Sequence, residues 1–272
     1  MSSDIKHLIL VASGKGGVGK STVAVNLALA LRDQGHAVGL LDADIYGPSV
    51  PTLLGPSAKP ASPDGKTIVP VQKHGLKLMS MGYLVDPNTA MIWRGPMLAG
   101  AVAQFVSDVD WGKLDYLIFD LPPGTGDIQL TLSQKFKVTG ALLVTTPQAV
   151  AVADVVRAKA MFDRVRIPTL GLVENMSYFI CDSCDKRHEI FATGGGEQAA
   201  ASLNIPFLGS IPLEPAVREA GDAGTPLSTR APHSVSARAF ATLALELDER
   251  VQAHVVAQAK AAKPRGLPIV RS

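Results

Sequence analysis

Residues 14–21 read Gly-Lys-Gly-Gly-Val-Gly-Lys-Ser, and few short sequences restrict a fold as tightly. The run fits G-x-x-x-x-G-K-S/T, in which loop N–H groups wrap nucleotide phosphates, a lysine reaches the β/γ-phosphates and a hydroxyl meets Mg²⁺. Its flanks supply the context that this chemistry needs. Ahead of it, His7 to Ala12 form an apolar run of buried-strand length; behind it, Val23, Leu27, Ala30 and Leu31 recur at helical spacing. Strand, glycine loop and helix in that order hand phosphates to a helix N-terminus, where unpaired N–H groups favour an anion. Gly14, Lys15, Gly16, Gly17, Val18, Gly19, Lys20, Ser21 and Thr22 are therefore the expected contacts to ATP or GTP.

Further apolar runs return between helical segments: 37–42, 116–120, 140–145, 169–174 and 207–211. Their hydrophobicity is nearly continuous rather than alternating, which marks strands covered on both faces. The expected fold class is α/β, a mostly parallel sheet with helices on both faces. The Pro- and Ser-containing stretch 51–70 reads as an excursion holding a small hairpin. Phe240, Leu243, Leu247, Val251 and Val255 read as one face of a long packing helix. With 272 residues and 47% hydrophobic content, one domain is expected over 1–258, with a disordered tail at 259–272.

Charge and length exclude several classes. The net charge of +2 argues against a broad nucleic-acid footprint. No apolar run reaches the roughly 18–20 residues of a membrane span. Residues 1–6 run straight into the first strand without room for a signal peptide, so the cytoplasm is the expected compartment.

Asp42 and Asp44 lie at the carboxyl end of the second strand, on the sheet edge that carries the phosphate loop. Strand alternation sends both to one side. Such a carboxylate orients or deprotonates an attacking water; aspartates also cap loops after strands. Asp120 ends the apolar run 116–119 and is expected to hold Mg²⁺ through water, together with Ser21. After it, Leu121-Pro122-Pro123-Gly124-Thr125-Gly126-Asp127 combines stiff prolines with free glycines, a composition suited to a two-shape loop.

Two cysteines, Cys181 and Cys184, stand three apart in a loop after a strand. Thiolates suit iron–sulfur clusters or zinc. Two of them leave a four-thiolate site half built, and a symmetric dimer would supply the other two. Zinc on the same four sulfurs, zinc on Cys181, Cys184 and His188 with a further ligand, a thiol redox pair and two inert cysteines stay open on spacing alone.

The second lysine in the loop, Lys15, makes the motif resemble the deviant Walker A family, which includes MinD, ParA, the nitrogenase iron protein and the Mrp/ApbC-type iron–sulfur carriers. Asp42-Ala43-Asp44-Ile45-Tyr46-Gly47-Pro48-Ser49 with Asp120 to Asp127 is similar to the last branch. Trp93-Arg94-Gly95-Pro96, Glu174-Asn175-Met176-Ser177, residues 193–197 and residues 211–221 agree with it, and the likeness runs from residue 6 to about 230. The resemblance implies a nitrogenase iron protein-like P-loop NTPase fold and a homodimer in which Lys15 reaches the partner's nucleotide. It favours Asp44, supported by Asp42, as the residue that acts on water, and Asn175 as the reader of the adenine ring. It implies a bridging [4Fe–4S] cluster on Cys181 and Cys184, slow ATP hydrolysis, a cluster donor and apoprotein recipients. Many bacterial relatives carry a further N-terminal domain; this chain is expected to lack it or to obtain its contribution from a partner. The rival reading is a MinD/ParA-like positioning ATPase. Pro264 interrupts the basic amphipathic tail that a membrane-bound version would use, and +2 is little charge for DNA. A zinc-stapled NTPase is the third option.

Overall fold

The computed structural model describes residues 4–45, 47–83, 95–124 and 126–262. The first half runs β1 (Asp4–Ser13), α1 (Lys20–Asp33), β2 (Val38–Asp42), α2 (Val50–Leu53), β3 (Val71–Lys73), β4 (Leu76–Ser80), α3 (Gly95–Ser107) and β5 (Lys113–Asp120). Next come α4 (Asp127–Lys135), β6 (Gly140–Thr145), α5 (Ala149–Arg164), β7 (Thr169–Glu174), β8 (Phe179–Ile180) and β9 (Arg187–His188). The chain closes with α6 (Gly195–Ser202), β10 (Phe207–Ser210), α7 (Pro215–Asp222), α8 (Leu227–Arg230) and α9 (Val235–Ala262).

Eight strands form one sheet in the order β10-β7-β6-β1-β5-β2-β4-β3. Seven run parallel, and β3 turns back against β4 at the edge. Alternation along β1 shows why the strands are apolar throughout. Leu8, Leu10 and Ala12 face one core, with Val102 and Phe105 of α3 and Val155 and Phe162 of α5. Ile9 and Val11 face the other, with Leu27 and Leu31 of α1 and Phe240 and Leu247 of α9. Each fully buried Leu, Ile, Val or Phe among these contributes about 1.5–3 kcal/mol. The Tyr116 hydroxyl donates to Asp248, pinning α9 to β5.

β1 lies between β5 and β6, and the chain departs to β2 on one side and arrives at β6 on the other. The strand order therefore reverses at the carboxyl end of β1, where open α/β sheets place ligands. The phosphate loop begins there.

Several sequence expectations shift. The hairpin lies at 71–80 as β3–β4 rather than within 51–70, where an isolated antiparallel bridge joins Ala61 to Val69. Val255 is exposed, whereas Val251 one turn earlier is fully buried, and the helix continues to Ala262 beyond the expected boundary at 258. Tyr46, Trp93, Arg94, Thr125 and the tail from 263 lie outside the described residues.

Candidate functional site

The loop between β1 and α1 encloses a cavity of about 290 Å³. Lys15, Gly16, Gly17 and Gly19 line one part of its wall, and Lys20, Ser21, Thr22 and Asp44 another. Gly17 and Gly19 have φ of 82° and 77°, a region that side chains disfavour, so the loop N–H groups can turn inward. Gly19 caps α1, whose first turn carries no acidic residue. An anion therefore meets the positive end of the helix dipole without a competing carboxylate. The Ser13 hydroxyl donates to the Lys15 carbonyl at 2.8 Å and ties down the entry to the loop.

Beneath the loop, Lys20 and Asp120 form a buried ion pair, 6% and 0% exposed. Burial pushes the Asp120 carboxyl up, and the Lys20 ammonium opposes that push. Lys20 Nζ also lies 3.2 Å from Ser21 Oγ. Asp120 Oδ2 is buried without a well-formed hydrogen bond and has the Ser21 hydroxyl as its neighbour. A leftover buried carboxylate oxygen beside a helix-terminal hydroxyl fits the shell of a hydrated Mg²⁺.

The cysteines occupy a different setting. β8 and β9 form a two-stranded hairpin, with Phe179 opposite His188 and Ile180 opposite Arg187. Cys181 N–H donates to the Lys186 carbonyl at 3.0 Å, and Asp185 N–H donates to the Cys181 carbonyl at 2.9 Å, so the tip is a tight knuckle. The Ser183 amide donates to the Cys181 sulfur and, with the Cys184 side chain and amide, holds that thiol below its ordinary range. N–H groups aimed at sulfur favour the thiolate, the form that binds metal. Cys184 is exposed and both cysteines are free. Among the described residues no group of three or more His, Cys, Asp or Glu gathers as a metal site, so His188 does not complete one with the pair.

The family model described as "ParA: NUBPL iron-transfer P-loop NTPase" matches residues 4–248. The chain belongs to this family of iron-transfer P-loop NTPases. It is 52% identical over 252 residues to an iron-sulfur cluster carrier protein of Synechocystis, covering 91% of this chain and 71% of the relative. The carrier protein of Escherichia coli is 50% identical over 92% of this chain and 67% of its own length. A nucleotide-binding protein of Archaeoglobus fulgidus, solved with ADP, superposes with a TM-score of 0.72 at 41% identity, over 83% of this chain and 89% of that one. The cell division ATPase MinD of Pyrococcus furiosus shares the fold, with a TM-score of 0.67 at 23% identity, over 90% and 99% of the two chains.

Within this iron-transfer NTPase, four expected site residues take places that the motif does not show. Asp42 is fully buried behind the cavity, because its oxygens are claimed as loop acceptors. They receive the Asp44 N–H, the Val50 N–H and the Ser80 hydroxyl, each at 3.1 Å. Burial, and then the neighbouring Asp120 charge, push its carboxyl up to about 7. Asp42 thus shapes the loop that carries Asp44 and does not itself face the cavity, and the two acids do not share one side because β2 ends at Asp42. Gly14 lies against α5, where a Cβ would come within 2.3 Å of the Asp154 backbone. Val18 is buried. Asn175 belongs to an adjoining cavity of about 280 Å³ with Met176, Val217 and Arg218, which shares Thr22 and Leu53 with the first. Sequence reading passed over Ser13, Ser49, Leu53 and Pro123 on the phosphate cavity wall. Ser49 and Leu53 follow the D-x-D run closely, and that proximity was the available signal.

Proposed function

We propose that this chain is an ATP-dependent iron–sulfur cluster carrier. It would hold a bridging [4Fe–4S] cluster between two protomers and pass it to apoproteins. One observation carries the reading: a formed phosphate cradle and a two-thiolate knuckle sit on one fold, in a chain half identical to proteins named for cluster carriage. Two thiolates from each of two copies make the four that such a cluster takes.

In this reading the loop N–H groups and Lys20 bind the triphosphate, and Asn175 reads the base from the adjoining cavity. Ser21 directly and Asp120 through water would hold Mg²⁺, which offsets charge on the phosphate oxygens. Asp44, on the cavity wall, positions water, and Lys15 reaches across the dimer to the partner's nucleotide, as an arginine finger does. Hydrolysis is slow because the energy serves a switch: ATP shifts the dimer between holding and releasing shapes by binding one better. Donor and recipients meet the exposed hairpin, and the cytoplasm, where thiols stay reduced, is the proposed compartment. Likeness to MinD at 23% identity extends to the fold alone.

The test is transfer. Protein reconstituted anaerobically with iron and sulfide should activate an apoenzyme that needs a [4Fe–4S] cluster, faster with MgATP than without. Activation no faster than by free iron and sulfide would overturn the carrier reading.

A further inference from the structure

Glu174 and Asn175 are consecutive at the carboxyl end of β7, yet their side chains serve different parts of the molecule. Asn175 Nδ2 donates to the Val18 carbonyl inside the phosphate loop at 2.9 Å. It also lies 2.2 Å from where a Cβ on Gly19 would stand, so it rests directly on the loop backbone. Glu174 is 1% exposed and lines neither nucleotide cavity. Its Oε1 accepts from the Ser177 hydroxyl at 2.6 Å, and its Oε2 accepts from the Gly196 N–H at 2.5 Å.

Those two donors are the ends of one excursion. Residues 178–195 leave the sheet after Ser177, carry Cys181 and Cys184 on the hairpin, and return at Gly196 in the first turn of α6. A single buried carboxylate therefore closes the base of the cysteine loop. The fit is close on every side. A Cβ on Gly196 would meet Glu174 Oε2 at 2.9 Å, and one on Gly195 would meet the Pro147 carbonyl at 2.6 Å. Met176 has φ of 53°, which turns the chain sharply between Glu174 and Ser177. The neighbouring segment adds main-chain bonds, Ser177 N–H to Ile211 at 2.9 Å and Leu213 N–H to Tyr178 at 2.7 Å.

We propose that Glu174 is a positioning residue that couples the two sites. It clamps both ends of the cysteine loop to the strand end whose next residue holds the phosphate loop, so a nucleotide-dependent shift of the loop moves Cys181 and Cys184. The proposal rests on the nucleotide-and-cysteine reading above. Interiors close-packed in this way transmit small displacements instead of absorbing them.

The test uses reduced, cluster-free full chain and follows iodoacetamide alkylation of each cysteine with and without saturating MgADP. In the wild type, nucleotide should change the alkylation rate about fivefold or more, the lower end of coupling between two sites. In Glu174→Ala and in the milder Ser177→Ala that ratio should fall to near one, while MgADP affinity stays within about twofold. Glu174→Gln, which keeps one acceptor, should retain an intermediate ratio. Faster basal alkylation with an unchanged nucleotide ratio would mean a structural brace and would overturn the coupling. So would a wild-type ratio of one with nucleotide bound, which leaves the carrier reading intact. Failure of the wild type to bind MgADP would overturn both.

Discussion

The phosphate loop and the cysteine hairpin are held in opposite ways. Under the phosphate loop lies a buried lysine–aspartate pair, and Ser13, Asn175 and the α5 backbone press against the loop at hydrogen-bond or contact distance. The hairpin is clamped at its base, and residues 182–193 beyond it are exposed. A loop packed from below can present its N–H groups before any ligand arrives, and such preorganisation lowers the cost of binding. In the proposed carrier, two thiolates on the hairpin would be half of a four-thiolate site, and a second copy would supply what packing supplies for the first loop. If this contrast holds, damage at either place should leave ligand binding at the other intact and remove only the coupling between them.

The largest effect is expected from Lys20→Ala. Loss of the β/γ-phosphate contact should cut ATP turnover by about 10²–10³ or more, with iron content after reconstitution unchanged. Iron loss in this variant, with the fold verified by circular dichroism, would break the separation of the two regions. Asp44→Ala comes next, lowering turnover by about 10² while ATP still binds. Mixing it with Lys15→Ala should restore part of the turnover, because one composite site then has both residues. No recovery in verified heterodimers would remove the trans role of Lys15.

A smaller effect concerns pH. The folded protein holds the Asp42 proton up to about 7, against 3.8 for an ordinary carboxyl. Folding then takes up a proton between those values, so stability should fall as pH rises through that window, by about 1.4 kcal/mol per unit at most. Asp42→Asn should flatten that slope in urea melts taken from pH 4 to 7; an unaltered slope would show that Asp42 is ionised throughout. The smallest effect sharpens the view of the hairpin. Cys181 should alkylate a few-fold faster than the more exposed Cys184 near neutral pH, since its thiolate is favoured. Peptide mapping after brief labelling reads the order, and Cys184 reacting first would contradict it.

The sheet was legible because buried parallel strands are apolar without interruption, and β1, β2, β5, β6, β7 and β10 all carry that signal. β4 escaped because Lys77 interrupts a five-residue run, and β3 because Gln72 leaves it with little apolar character. The local motif points to Lys15, Gly16, Gly17, Gly19, Lys20, Ser21 and Thr22 on the cavity wall, but not to Ser13, Ser49, Leu53 or Pro123, which come from outside its spacing. The role of Asp42 was not legible, since its partners Val50 and Ser80 lie 8 and 38 residues away. Glu174 was hidden for the same reason, with Gly196 22 residues downstream.

The bridging cluster is tested most directly by counting iron and acid-labile sulfide per dimer after anaerobic reconstitution, alongside the native mass of the species. About four of each are expected on a dimer of the wild-type chain, and none in Cys181→Ala or Cys184→Ala, both of which should keep wild-type nucleotide affinity. Stoichiometric zinc without sulfide, or a cluster that survives loss of both cysteines, would contradict it.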